Sequence, residues 1–317
     1  MHVITELSQL PDERIKRPIV TWGVFDGVHV GHTKVIRQVI QQARLDAVTP
    51  VVITFDRHPA EVLQGRPVPL ITSLKERLHL IGDLGIEFCV VIPFTLEFSR
   101  TTPEEFLRDI IRGKLDASGV ILGHDSMFGK DREGNFETLQ RIAPTLGLRA
   151  SRAEVENFKG RPVSSSLIRE LVLQGRIDEA NALLGREFMI SGKVVKGDER
   201  GKTLGFPTAN VSFDPVEIRP PSGVYAARCL LDGAEYPAVV NIGVRPTFGG
   251  GTGGREWIEA HLLDYAGADF YGRFLEVRFL HRLRDEKPFK SPAALKKQIE
   301  KDIRAARERA VSHAGRA

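Results

Sequence analysis

Gly23-Val24-Phe25-Asp26-Gly27-Val28-His29-Val30-Gly31-His32 places a His-x-Gly-His pair where a strand hands over to a helix. Ahead of it, Ile19–Trp22 reads as a short buried strand; behind it, Val35, Ile36, Val39, Ile40 and Ala43 recur at helical spacing over Thr33–Arg44. The histidines therefore stand at a helix N-terminus. Unpaired backbone N–H groups and the positive end of the helix dipole favour phosphate there, and Gly31 leaves room for close approach. Two imidazoles beside such an anion stabilise charge that develops on an α-phosphate under attack. The tetrapeptide by itself more often marks capping or packing residues, so the rest of the chain has to decide.

A second anion site is written in Val163-Ser164-Ser165-Ser166-Leu167-Ile168-Arg169. Its hydroxyls precede a helix whose apolar positions are Leu167, Ile168, Leu171 and Val172 and whose end is marked by Gly175. Arg169 falls one turn inside. The plain reading is a serine-rich cap followed by a solvated arginine. The chemical one is a set of hydroxyls and a guanidinium gripping the β- and γ-phosphates of a leaving pyrophosphate.

Up to about Leu184 the chain alternates strand and helix. Val51–Phe55 and Phe88–Ile92 read as buried strands around a helical stretch, Leu74–Leu84, and this alternation implies a parallel sheet. A further helix is announced by Thr102, Pro103 and Glu105, carries Phe106, Leu107, Ile110 and Ile111, and is expected to end at Gly113. Ligands of such sheets bind at the carboxyl ends of the strands; His29, His32, His58, Asp125 and Ser164 to Ser166 all follow predicted strands or precede helices, so one face is expected to gather them. After Gly185 the pattern changes. Val224–Leu231, an Asp232-Gly233 turn and Tyr236–Ile242 read as a hairpin, and strands follow at Trp257–Leu263 and Leu275–Leu280. Strands in series imply an antiparallel barrel, which a last helix, capped by Ser291 ahead of Pro292, covers with Leu295, Ile299, Ile303 and Ala306. The fold expected is α/β, with a parallel α/β sheet domain over residues 1–185 and an antiparallel β-barrel domain with a terminal helix over 186–317.

A length of 317 residues accommodates two domains, and a formal charge of +4 suits anionic nucleotides without amounting to a nucleic-acid footprint. Lys296, Lys297, Arg304 and Arg307 are interrupted by Glu300, Asp302 and Glu308, as on a solvated helix face. Cys89 and Cys229, far apart and each in an apolar run, fit buried thiols in a reducing compartment rather than a disulfide or a metal site. The first residues lack a signal-peptide pattern and no apolar run is long enough to span a bilayer. A cytoplasmic protein is expected, a monomer or weak homo-oligomer, with neither nucleic acid nor membrane as partner.

GVFDGVHVGH, VVITFDRHP, GHDSMFG and VSSSLIR, in this order, resemble the adenylyltransferase module of bacterial bifunctional riboflavin kinase/FAD synthetases. Gly201 to Asn210, followed by PPSGVY, NIGVRPTFGG, IEAHLLD and FYGR, resembles that family's kinase module, so the likeness covers nearly the whole chain. It implies that the barrel phosphorylates riboflavin to FMN with ATP. It also implies that the N-terminal, nucleotidyltransferase-type domain transfers AMP from a second ATP to FMN, giving FAD and pyrophosphate. On this resemblance His29 and His32 are catalytic, while Gly23, Phe25, Asp26, Gly31, Asp125, Ser164, Ser165, Ser166 and Arg169 surround the nucleotide. His58 and Phe128 face the flavin.

In the second module Gly197, Gly201 and Gly205 let backbone N–H groups face phosphates, with Lys202 and Pro207 in the same cradle. Thr208 and Asn210, two apart and so on one side of an extended strand, offer the oxygen ligands that Mg2+ prefers. Glu259 matches the family's strand glutamate, which implies a base for the ribityl hydroxyl; His261 and Asp264 are the neighbouring candidates. Gly197 to Thr203 is nearly a P-loop, yet it has three residues between its glycines instead of four and leads to Pro207 rather than a helix. The chain departs from the family at Ser126, where an aromatic residue is usual, and at Ser166, where threonine is common. The first bears on flavin affinity, whereas the second keeps its hydroxyl. The competing readings are a nucleotidyltransferase with another acceptor and a flavin-binding protein without turnover.

Overall fold

Short apolar runs that are buried on both faces have to lie inside a helix-covered sheet, and the N-terminal strands are of this kind. The computed structural model describes residues 1–196, 205–245, 255–267 and 270–314. In chain order they form β1 (His2–Ile4), β2 (Ile19–Trp22), α1 (Val30–Leu45), β3 (Pro50–Phe55), α2 (Pro59–Gln64), α3 (Leu74–Asp83), β4 (Phe88–Ile92) and α4 (Pro103–Glu105). Then come β5 (Gly119–Leu122), α5 (Phe136–Ile142), β6 (Arg149–Arg152) and a small hairpin of β7 (Asn157–Phe158) and β8 (Arg161–Pro162). Six of these strands make one parallel sheet in the order β1-β4-β3-β2-β5-β6. Chain order reverses between β2 and β5, with β3 and β4 laid on one side and β5 and β6 on the other. Such a reversal opens a crevice at the carboxyl ends of the strands, and the loop after β2 starts there.

Two boundaries differ from the sequence reading. The helix expected from Thr33 begins at Val30, because the His29 side chain itself supplies the cap. The helix capped by Thr102 has the expected capping box but does not stop at Gly113; after α4 it continues as a π-helical run, Phe106–Lys114. Gly113 is accommodated inside that run, where a Cβ would come to 3.1 Å from the Arg108 carbonyl.

The chain divides into two compact units, Met1–Ser165 and Ser166–Ala317, the first ending earlier than the boundary read near Arg186. The second unit holds α6 (Ser165–Leu173), apart from its first residue, and α7 (Ile177–Leu184). Next come β9 (Phe188–Val195), β10 (Ala209–Val211), β11 (Gly223–Leu231), β12 (Ala234–Arg245), β13 (Arg255–Leu262), β14 (Phe274–Arg284) and α8 (Pro292–Ala314). The strands close an antiparallel barrel in the order β10-β13-β12-β11-β14-β9. α7 is tied to it through Asn181, which donates to the Phe279 carbonyl (2.8 Å) and accepts from the Phe188 N–H (2.7 Å). Asp232 and Gly233 both take positive φ (48° and 84°), the geometry of a tight hairpin whose twist matches its strands. Gly192 is required by a close approach, since a Cβ there would overlap the Ser212 carbonyl.

α8 is capped by Ser291, whose Oγ accepts from the Ala294 N–H (3.2 Å), and lays Ile303, Ala306 and Ala310 on Ala226, Leu263 and Leu280 of the barrel. Asp302, 5% exposed, accepts from Arg284 Nε (3.1 Å) and Nη2 (2.8 Å) and from Gln298 (2.9 Å). Removing one partner of a buried pair strands the other charge. Asp302→Ala is expected to lower the stability of the barrel unit by roughly 3 kcal/mol, read from its denaturant midpoint. Burial pushes the Cys89 thiol up to about 12 and raises that of Cys229 as well. Little thiolate is then available at pH 8, so both cysteines should resist iodoacetamide in the folded protein and react on unfolding, as followed by mass spectrometry.

Candidate active sites

The loop from β2 to α1 is shaped by a buried carboxylate. Asp26 is 2% exposed, and its Oδ1 accepts from the N–H groups of Ile71 (3.0 Å) and Thr72 (3.1 Å) and from the Thr72 hydroxyl (3.3 Å). Thr72 Oγ1 in turn accepts from the Gly27 N–H (2.9 Å). Held this way, the loop carries Phe25 and Val28 at positive φ (51° and 38°) on either side of Gly27 (83°), a conformation that side-chain-bearing residues adopt only under outside constraint. From below, Arg77 donates through Nη1 to the Val24 carbonyl and through Nη2 to that of Phe55 (3.0 Å). Burial pulls its pKa below the ordinary arginine value, and the nearby Asp26 charge opposes that shift.

This shaped loop delivers His29 as the cap of α1. Its Nδ1 accepts from the His32 N–H (3.3 Å), and the two imidazoles stack with centroids 3.6 Å apart and planes 19° from parallel. Accepting at Nδ1 leaves the proton of neutral His29 on Nε2. Phe25 stands edge-on to His32 (5.1 Å), and Gly23 passes so close that a Cβ there would lie 3.3 Å from the Phe25 ring. At Gly31 a Cβ would press on the His29 ring at 3.1 Å, so that glycine makes room for the imidazole. The Ser165 hydroxyl donates to the Asp26 carbonyl (2.8 Å), which ties the last residue of the first unit to the same loop. Asp125 is exposed in the loop after β5, the strand beside β2. His58 follows the other neighbour, β3, and caps α2 by accepting from the Ala60 N–H (3.2 Å). Phe128 is 7% exposed, packed edge-on against Trp22 (5.0 Å) within the core. Ser126 folds back so that its N–H donates to the Gly123 carbonyl (3.2 Å). Ser166, exposed, and Arg169, half-buried, belong to the second unit.

In the barrel, β13 alternates: Ile258, Ala260 and Leu262 are buried, whereas Glu259 and His261 on the opposite face are half-buried. Register sets Asn210 of β10 and Asn241 of β12 on the two sides of Glu259, making a row across three strands. The Asn241 Oδ1 is buried with no hydrogen-bond partner among the described residues. Thr208, two residues before Asn210, lines a cavity of about 260 Å³ with Pro207, Tyr265, Phe270 and Tyr271. Such a lining suits a flat heteroaromatic ring. His261 Nδ1 lies 2.7 Å from the Pro207 carbonyl; burial lowers its pKa below the usual histidine range, opposed by that hydrogen bond, so the ring is neutral at pH 7. Gly205 takes a positive φ (86°) with open space where a Cβ would stand. Gly197, Gly201 and Lys202 lie outside the described residues. Among the described residues no group of three His, Cys, Asp or Glu is placed to hold a metal ion.

Sequence reasoning passed over Thr72, Arg77 and Asn241. Arg77 had a signal, because it falls at an apolar-face position of α3 together with Leu74, Leu78 and Ile81. Thr72 had none, since only tertiary pairing brings it to Asp26; Asn241 opens the NIGVRPTFGG stretch, but only strand pairing sets it beside Glu259.

A helix-capping histidine stacked on a second imidazole at the switch point of a parallel sheet, in a chain that continues into a closed barrel, defines a nucleotide-handling α/β unit followed by a small phosphotransferase-type barrel. Comparison with known proteins agrees. The FAD synthetase family model matches residues 12–167 and the riboflavin kinase model residues 184–310. Bifunctional riboflavin kinase/FMN adenylyltransferases of Bacillus subtilis (37% identical, 94% of each chain covered) and Escherichia coli K12 (36%, 96% of each) are similar along their length. That of Pseudomonas fluorescens is 35% identical with both chains fully covered. A crystal structure described as a macrolide-efflux protein from Streptococcus pneumoniae shares the architecture, with a TM-score of 0.87, 29% identity, and 96% of this chain and 98% of its own covered. That description speaks of the other protein; among the described residues here no helix is long and apolar enough to cross a membrane. The chain belongs to the bifunctional riboflavin kinase/FMN adenylyltransferase family. It phosphorylates riboflavin to FMN and adenylylates FMN to FAD, with ATP as co-substrate, the FAD synthetase part being N-terminal and the kinase part C-terminal.

Arg77→Met keeps an apolar stem but leaves the Val24 and Phe55 carbonyls without their donors. It is expected to cost the N-terminal unit about 1–3 kcal/mol in denaturant unfolding and to slow FAD formation while FMN formation continues. Undiminished FAD formation would count against a loop-holding role.

Proposed function

We propose that residues 1–185 carry the adenylylation and residues 186–317 the phosphorylation, with His29 and His32 serving the first reaction and Glu259 the second. The observation that carries the reading is the pair of stacked imidazoles at the N-terminus of α1, where the sheet order reverses. There an FMN phosphate oxygen attacks the α-phosphorus of ATP, and the bond from that phosphorus to the oxygen bridging to the β-phosphate breaks. Backbone N–H groups of the first turn and the Nε2–H of His29 face the charge that gathers on the α-phosphate. Asp26 acts through the loop it shapes, as do Gly23, Phe25 and Gly31. Ser164 and Ser165, continued in sequence by Ser166 and Arg169, take the pyrophosphate. Asp125 contributes to nucleotide binding from the loop after β5. His58 meets the flavin from the loop after β3, and Phe128 supports that site from the core.

In the barrel, Glu259 accepts the ribityl hydroxyl proton while the hydroxyl oxygen attacks the γ-phosphorus of ATP, and ADP leaves. Gly197, Gly201, Lys202, Gly205 and Pro207 form the phosphate cradle. Thr208 and Asn210 fit a magnesium ion, because both are neutral oxygen donors of the type a hard cation takes beside phosphate oxygens, and Asn241 brings a buried amide oxygen to the same row. When bound, the ion supplies positive charge against the charge spread over the phosphates. Two buried free thiols fit work in the reducing cytoplasm, and the balanced charge fits a monomer or weak homo-oligomer without nucleic-acid or membrane partners.

Chromatographic separation of flavins during incubation with riboflavin, ATP and magnesium tests the assignment. His29→Ala should accumulate FMN and form no FAD. Glu259→Gln should leave riboflavin unchanged yet convert added FMN to FAD. Retained FAD synthesis in the first variant, or retained FMN synthesis in the second, defeats the corresponding role.

A further inference from the structure

The pairing of β10 with β13 stops after three residues, with Ala209 opposite Ala260, Asn210 opposite Glu259 and Val211 opposite Ile258. One step further the same register would set Thr208 opposite His261. The residue before it, Pro207, has no N–H and cannot extend a backbone ladder in this direction. A side chain takes over. His261 Nδ1 lies 2.7 Å from the Pro207 carbonyl, so the ring donates to it. The Phe206 ring stands edge-on to the imidazole, centroids 5.7 Å apart and planes at 87°. His261 therefore holds both residues that precede Thr208, and it springs from the face of β13 that carries Glu259.

We propose that His261 is a positioning residue for riboflavin phosphorylation, acting as a side-chain continuation of the β10–β13 ladder that sets Thr208 and Asn210 against Glu259. This rests on the assignment of Thr208, Asn210 and Glu259 to the kinase site. With Nδ1 committed to Pro207, the imidazole is a strut and the proton-accepting role stays with Glu259. Without it, Phe206 and Pro207 lose this attachment to β13, and the oxygen donor at 208 is held less firmly against the carboxylate. Displacements on the order of 1 Å at a reacting centre reduce rates by up to about a hundredfold.

Two polar replacements separate this role from simple packing. In His261→Asn the side-chain amide nitrogen occupies nearly the place of Nδ1 and can still donate to Pro207. In His261→Gln the amide is carried one carbon further out, and that bond is lost. Steady-state phosphorylation of riboflavin is measured for the full chain while riboflavin, ATP and magnesium are varied in turn. Conversion of added FMN to FAD by the same preparations monitors the N-terminal unit, and thermal unfolding monitors the barrel. His261→Gln is expected to lower kcat by roughly 10- to 100-fold and raise the magnesium needed for half-maximal rate, with KM for riboflavin little changed. His261→Asn is expected to recover most of the rate. Equal rates in the two variants, whether both high or both low, overturn the proposal. Asn210→Ala and Glu259→Gln are measured alongside: if they retain full activity, the kinase-site assignment fails, whereas if they lose it and the two His261 variants match each other, only the role of His261 fails.

Discussion

One carboxylate carries the adenylylating end of this protein. Asp26 is out of water, and two backbone N–H groups and a hydroxyl from the segment before α3 converge on it and offset its desolvation. That bonding anchors a loop in which Phe25 and Val28 adopt a backbone hand unfavourable to residues with a Cβ, by an amount on the order of 1 kcal/mol or more each. The strain is useful in its result. It turns the chain so that the residue entering α1 is a histidine whose ring both caps the helix and stacks on the next turn's imidazole. Arg77 secures the same loop from the side of β3, so adjacent elements of the sheet contribute to one short turn.

The barrel reaches a comparable end by a different route. Its polar row is a matter of register: Asn210, Glu259 and Asn241 come from three strands far apart in sequence and become neighbours because antiparallel pairing aligns them. Alternation then sends Ala209, Ala260 and Val240 inward and leaves the polar row on the other face. The bond of Arg284 to Asp302 and the small residues of α8 hold the terminal helix against β11, β12 and β14.

Much of this was legible in the amino-acid order, and the exceptions have physical reasons. β2, β3 and β4 are short apolar runs flanked by turn formers, and Asp232-Gly233 is a turn with the right hand, so local chemistry determines them. β6, by contrast, reads Arg-Ala-Ser-Arg; it is largely exposed on a sheet edge, and only its pairing with β5 makes it a strand. β1 is three residues long and is likewise made by pairing, with β4. The early start of α1 was missed because the signal was a histidine acting as a cap, a role more often taken by Ser, Thr, Asp or Asn. At the candidate sites the sequence offers residue types, and tertiary pairing decides their neighbours. Asp26 looked like a ligand-binding residue in sequence and is bonded to its own chain, while Phe128, read as a flavin contact, has its ring in the core. The neighbours of Glu259 depend on strand pairing, which no local spacing encodes.

β10 has a consequence for how the length of this chain can vary. Its inward and outward faces alternate residue by residue, so inserting or deleting a single residue within Ala209–Val211 would exchange the two faces of whatever then paired with β13. A residue other than Asn210 would then stand opposite Glu259. A length change there would alter which residues share a face with Glu259, so the short β10 serves as a fixed ruler against β13.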